Sequence, residues 1–115
     1  MASPGGTVLE FVVFKLNEGV SREQFLGTVD AVSSWIGTQP GFVSRVLCHD
    51  AEGDRWIDLV WWKTLEDAHN AAERAMTSES CAPMFALIDS ESTLMAHAEP
   101  AIAPVLHHLD DAFPS

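Results

Sequence analysis

The chain has 115 residues, 47% of them hydrophobic, which suits one domain with its own core and leaves no room for two. Seventeen acidic residues against six basic ones give a formal charge of −11, the wrong sign for displacing counterions from DNA, RNA or an anionic lipid surface. No apolar run approaches the roughly 20 residues of a membrane-spanning helix. Residues 1–6 (MASPGG) lack the basic and apolar regions of a secretory signal, so a flexible lead-in and a cytoplasmic setting are expected. Cys48 and Cys81 form no motif and are expected as small core hydrophobes.

Thr7 to Leu16 is β-branched and aromatic, reads as a strand, and ends in the turn Asn17-Glu18-Gly19. Ser21-Arg22-Glu23-Gln24 is a capping box. Phe25, Val29, Val32 and Ile36 follow at helical spacing, so one helix is expected to about Thr38, before Pro40-Gly41. Phe42–His49 and Arg55–Lys63 read as strands two and three of a hairpin around the polar turn 50–54. Thr64 is a plausible N-cap for an alanine-rich helix to about Met76. A short third helix starts at Ser78-Glu79-Ser80 and carries Met84, Phe85, Leu87 and Ile88. Ser92–Ala98 is the last strand.

The order strand, helix, strand, strand, helix, strand is the ferredoxin-like, α+β arrangement: a four-stranded antiparallel sheet with strands one and three central and both helices on one face. It divides the chain into a lead-in over 1–6, a domain over 7–99 and a tail over 100–115. Strand side chains alternate between faces. Val8, Glu10, Val12 and Phe14 fall on one side of strand one, Leu9, Phe11 and Val13 on the other. Strand three places Trp56, Val60 and Trp62 against Ile57, Leu59 and Trp61. Both faces are apolar, whereas a sheet with water on one side should alternate. An uncovered apolar face marks an interface, so a homodimer through the sheet face is expected. Cover by Ile102, Val105, Leu106, Leu109 and Phe113 of the tail is the alternative.

The segments LEFVVFKLNEG, QPGFVSRVL, DLVWWKTLEDAHNAAE, PMFALID and LMAHAE resemble the antibiotic biosynthesis monooxygenase family of the dimeric α/β barrels, over about residues 7–99. Gln39-Pro40-Gly41-Phe42 and Trp62 are the most specific matches, and they are signatures of shape. The resemblance implies a homodimer with a pocket between sheet and helices in each subunit. It also implies cofactor-free oxygenation of small aromatic or quinone-like compounds, or haem degradation, cyclisation or isomerisation. Many relatives carry a histidine nine residues after the tryptophan. Here that position is Ala71, and His69, two places earlier, lies about 200° round a helix. Val12 stands where haem-degrading members carry asparagine, and PMFALID has no histidine, so haem degradation is not expected.

Glu10 and Asp58 are the carboxylates within apolar strands. With strands one and three read as parallel neighbours, both point to the helix side. In an apolar pocket they would act as proton acceptor or donor; the alternative is an ion pair, for instance with Arg45. His97 is a candidate base for a phenol-like substrate or else a hydrogen-bonded histidine near a strand end. His69 is a ligand candidate but more simply a surface histidine. Trp62 and Trp56, with Phe14 and Phe85, are the candidate pocket walls, while Trp61 is assigned to the dimer face. His107-His108 with Asp110 and Asp111 shows no metal-site spacing, and no phosphate loop or nucleophile elbow is present. The expectation is a cofactor-independent, monooxygenase-like enzyme without a metal, acting on a small aromatic or enolisable substrate. A cyclase or isomerase, or a non-catalytic ligand-binding dimer, is the alternative.

Overall fold

A computed structural model describes residues 7–106. In chain order the elements are β1 (Val8–Leu16), α1 (Arg22–Leu26), α2 (Val29–Ile36), β2 (Phe42–Asp50), β3 (Arg55–Trp62), α3 (Leu65–Ala75), α4 (Ala82–Phe85) and β4 (Ile88–Ala98). The four strands form one antiparallel sheet in the order β2-β3-β1-β4. β1 and β3 are central, as the ferredoxin-like reading requires. They run antiparallel, not parallel, with Glu10 opposite Val60 and Val12 opposite Asp58.

The helices follow local chemistry. Ser21 Oγ accepts from Gln24 N–H at 3.0 Å and starts α1. The single helix expected to Thr38 is broken at Gly27-Thr28. Glycine is a poor helix interior residue, and Thr28 Oγ1 donates back to the Phe25 carbonyl at 2.7 Å, tightening the turn. The apolar stripe survives the break, since Phe25, Val32 and Ile36 are all buried. Thr64 caps α3 through Asp67 N–H at 3.0 Å, and Ala68 and Ala71 bring that helix close to the sheet. α4 is only one turn. The chain it was expected to carry to Ile88 joins β4, which starts four residues earlier than its composition indicated. Ile88 pairs with Leu16, and Asn17 N–H donates to the Leu87 carbonyl at 2.8 Å, so pairing with β1 draws this segment out of a helix.

Gly41 is needed where it stands. Its φ is +82°, and a Cβ there would lie 2.1 Å from the Asp67 carboxylate. Its carbonyl accepts from Lys63 N–H at 2.9 Å, which ties the start of β2 to the end of β3.

The core lies between the inner face of the sheet and the helices, in two clusters. Val8, Ile36, Val60, Trp62, Ala68 and Ala71 form one. Phe14, Phe25, Val32, Trp56, Cys81 and Met84 form the other. Burying a side chain such as Phe25, which is 0% exposed, contributes roughly 1.5–3 kcal/mol. Cys81 is in this core, but Cys48 is exposed, on the opposite side of the sheet. That outer face is built of three cross-strand rows: Ser44-Trp61-Leu9-Ala98, Val46-Leu59-Phe11-Ala96 and Cys48-Ile57-Val13-Leu94. Val46 and Leu94 are 51% and 60% exposed. The tail does not cover these rows over its described length, since Ile102, Val105 and Leu106 are themselves exposed. Leu109 and Phe113 lie outside the described residues, as do the lead-in and the His107-His108 pair.

Candidate active site

Between the inner face of the sheet and the helices lies a cavity of about 710 Å³. Val32, Trp35 and Ile36 of α2 and Ala71, Ala72 and Ala75 of α3 line it from above. Cys81, Met84 and Phe85 close one side, and Glu10, Val12, Phe14, Asp58, Val60 and Trp62 form the floor. The small alanines of α3 leave the space open, and mostly apolar walls suit a small hydrophobic molecule with a few placed polar groups.

Pleating supplies those polar groups. Across the inner face, Arg45, Val60, Glu10 and His97 form one cross-strand row, and Leu47, Asp58, Val12 and Met95 form the next. Arg45 donates to Asp58 through Nε at 2.9 Å and Nη2 at 2.7 Å, and to Ser33 Oγ at 3.0 Å. This bidentate, nearly buried pair occupies both Asp58 oxygens, as one of the two sequence readings expected.

Glu10 Oε1 lies 3.2 Å from His97 Nε2. Burial pushes the Glu10 carboxyl above its ordinary value. The His97 hydrogen bond and charge oppose this, the Asp58 charge adds to it, and the Trp62 indole again opposes it. Trp62 Nε1 is buried and close enough to Glu10 to favour its carboxylate, but it closes no well-formed hydrogen bond among the described residues. An orphaned buried donor costs free energy unless something else accepts from it.

Of the candidate site residues, the structure gathers Glu10, Asp58, Trp62, Phe14 and Phe85 around this cavity. Two histidines stand outside its lining. His97 is beside Glu10 on the edge strand β4, and exposed His69 stacks edge-to-face on His97 with ring centroids 4.8 Å apart. Trp56 is directed elsewhere. It packs on Phe25 and His49 and borders a second, polar groove of about 370 Å³ with Lys15, Asn17, Arg22 and Asp54. The lining contributed by Met95, Thr93 and Ser90 was missed from sequence, although strand alternation places Met95 on the face of His97. Among the described residues, no three His, Cys, Asp or Glu side chains are grouped to hold a metal ion. No helix among them is long and apolar enough to cross a membrane.

No protein-family profile and no curated protein matches the sequence. Solved structures do match. An antibiotic biosynthesis monooxygenase candidate from Bordetella bronchiseptica aligns with TM-score 0.71 and 16% identity, over 84% of this chain and 99% of that one. SnoaB, a cofactor-independent oxygenase from Streptomyces nogalater, aligns with TM-score 0.64 and 16% identity, over 90% and 100%. The Arabidopsis thaliana protein At3g17210 aligns with TM-score 0.65 and 11% identity, over 85% and 99%. The chain therefore has the α+β, ferredoxin-like fold of the antibiotic biosynthesis monooxygenase structures.

Proposed function

We propose that this chain is a cofactor-independent, monooxygenase-like enzyme that acts on a small aromatic or enolisable compound in the cavity under α2 and α3. One observation carries the reading: a carboxyl with a raised pKa, Glu10, and a buried donor that closes no well-formed hydrogen bond among the described residues, Trp62 Nε1, stand together at the floor of an apolar cavity. A base and a hydrogen-bond donor at one place suit enolisation. Glu10 takes a proton from an activated C–H or O–H, and the indole N–H holds the oxygen on which negative charge develops. The resulting carbanion reduces O2 and combines with it to give a hydroperoxide. Loss of water then leaves one oxygen atom in the product as a carbonyl. The substrate supplies all the electrons. SnoaB, which shares the fold, is a cofactor-independent oxygenase, and this lends the reading support.

Asp58 is a poor base in this scheme because Arg45 occupies both its oxygens. Its role is to hold Arg45 and set the charge of the cavity floor. The paired state of both carboxylates also favours a second reading, a non-catalytic module that binds a small ligand.

The assay is deuterium uptake into 2-tetralone in D2O, read by mass spectrometry beside oxygen consumption. Enzyme-dependent exchange is expected to fall by about 10²–10⁴-fold in Glu10→Gln. Oxygen consumption with exchange indicates oxygenation, and exchange alone indicates a cyclase or isomerase. Binding of 2-tetralone without exchange selects the binding module.

The functional unit in this reading is a homodimer that buries the outer rows of the sheet, in a cytoplasmic setting compatible with two unpaired cysteines. Val46 and Leu94, the most exposed large aliphatics of those rows, would lie in the interface.

A further inference from the structure

We propose that Glu10, His97 and His69 form a proton relay from the cavity to solvent, which resets the base while the cavity is occupied. The inference rests on the reading of Glu10 as the cavity base and assigns two residues that do not touch the cavity.

A base buried in an apolar cavity faces a problem after each turnover. Its proton must leave, yet the open side of the cavity holds substrate or product. The structure supplies another way out. Glu10 and His97 are directly opposed across β1 and β4, with 3.2 Å between Oε1 and Nε2. Their side chains are only 12% and 15% exposed. Glu10 touches the cavity and His97 does not, so the imidazole stands beside the carboxyl on the edge strand, outside the cavity lining. His69 continues the line. Its helix is anchored by Ala68, which is fully buried, and the next residue is rotated about 100° toward solvent. The His69 ring meets the His97 ring at 81° and is exposed. The three groups thus run from cavity to near-buried strand to surface.

The proton movements balance without another reagent. The substrate X–H bond breaks and its proton joins Glu10. Glu10 passes a proton through Oε1 to Nε2 of neutral His97, which becomes imidazolium. The imidazolium releases a proton from its other nitrogen to water held beside exposed His69, whose ring packs edge-to-face on His97, and the neutral tautomers of His97 re-equilibrate through solvent. An imidazole can accept a proton on one ring nitrogen while it donates from the other. Besides His97, the charge that acts on Glu10 is that of Asp58, which Arg45 holds on the cavity floor.

Two measurements test the relay on the full chain. The first needs no catalysis: carbon-13 titration of the Glu10 carboxyl and nitrogen-15 titration of the histidines. His97→Gln is expected to move the Glu10 midpoint, because the His97 hydrogen bond and charge act on that carboxyl. An unmoved midpoint overturns the relay. The second uses 2-tetralone exchange. His97→Gln keeps a donor to Glu10 but cannot carry a proton. His97→Gln and His69→Ala are expected to lower kcat by roughly tenfold or more with KM unchanged, and imidazole buffer to restore it. Full exchange activity in His97→Gln overturns the relay. If the unaltered protein shows no exchange, the base reading of Glu10 falls, and the titration alone decides the relay.

Discussion

Arg45 grips Asp58 from the neighbouring strand with two hydrogen bonds, Nε to Oδ1 at 2.9 Å and Nη2 to Oδ2 at 2.7 Å, and both side chains are nearly buried. Removing one partner strands the other charge in an apolar setting. Asp58→Ala is expected to cost about 3–5 kcal/mol, while the double replacement Arg45→Met with Asp58→Leu recovers most of that loss. Urea unfolding of the single and double variants checks it; a single-variant loss under about 1 kcal/mol would mean the pair is effectively solvated.

The Glu10 carboxyl predicts a pH dependence of stability. Burial raises its folded-state pKa above the ordinary value of 4.5. Between those two values the folded state holds more protons than the unfolded one, so this contribution to stability is fully present below 4.5 and is lost as pH rises through the folded pKa. Glu10→Gln lacks this titration. The Tm of Glu10→Gln minus that of the unaltered protein is therefore expected to grow with pH from about 4.5 and then level off. Thermal melts across pH 4 to 8 measure it, and a flat difference contradicts the buried-carboxyl account.

Gly41 offers a backbone test. Alanine at this position meets a positive φ of +82° and crowds Asp67. Gly41→Ala is expected to destabilise by about 1–2 kcal/mol or more, by denaturant titration. Gly27→Ala, at a φ of −64° where an added Cβ makes only ordinary contacts of 3.4 and 3.5 Å with the Gln24 and Glu23 carbonyls, is expected to be neutral or stabilising.

The outer sheet face predicts self-association. Sedimentation at micromolar concentration should find twice the 12.5 kDa chain mass. Placing lysine at Val46 and Leu94 together should yield a folded monomer, because both are exposed in the single chain and charge there opposes a buried apolar contact. A well-behaved monomer of the unaltered protein is the contrary result.

The sequence alone determined the strand–helix order, the central place of β1 and β3, and the division of their side chains between two faces. Those features depend on periodicity and capping, which are local: Val8 and Phe14 are buried, while Leu9 and Phe11 are only half covered. Only the tertiary structure decided the rest. Strand pairing pulled Ile88 out of a helix into β4, and cross-strand register chose Arg45 as the partner of Asp58 and His97 as the partner of Glu10. The same register turned Trp56 toward a different groove from Trp62 and brought His69 onto His97. Residues 87 places apart in the chain meet only when backbone hydrogen bonds set which positions of two strands stand opposite one another, and no spacing within one segment records that choice.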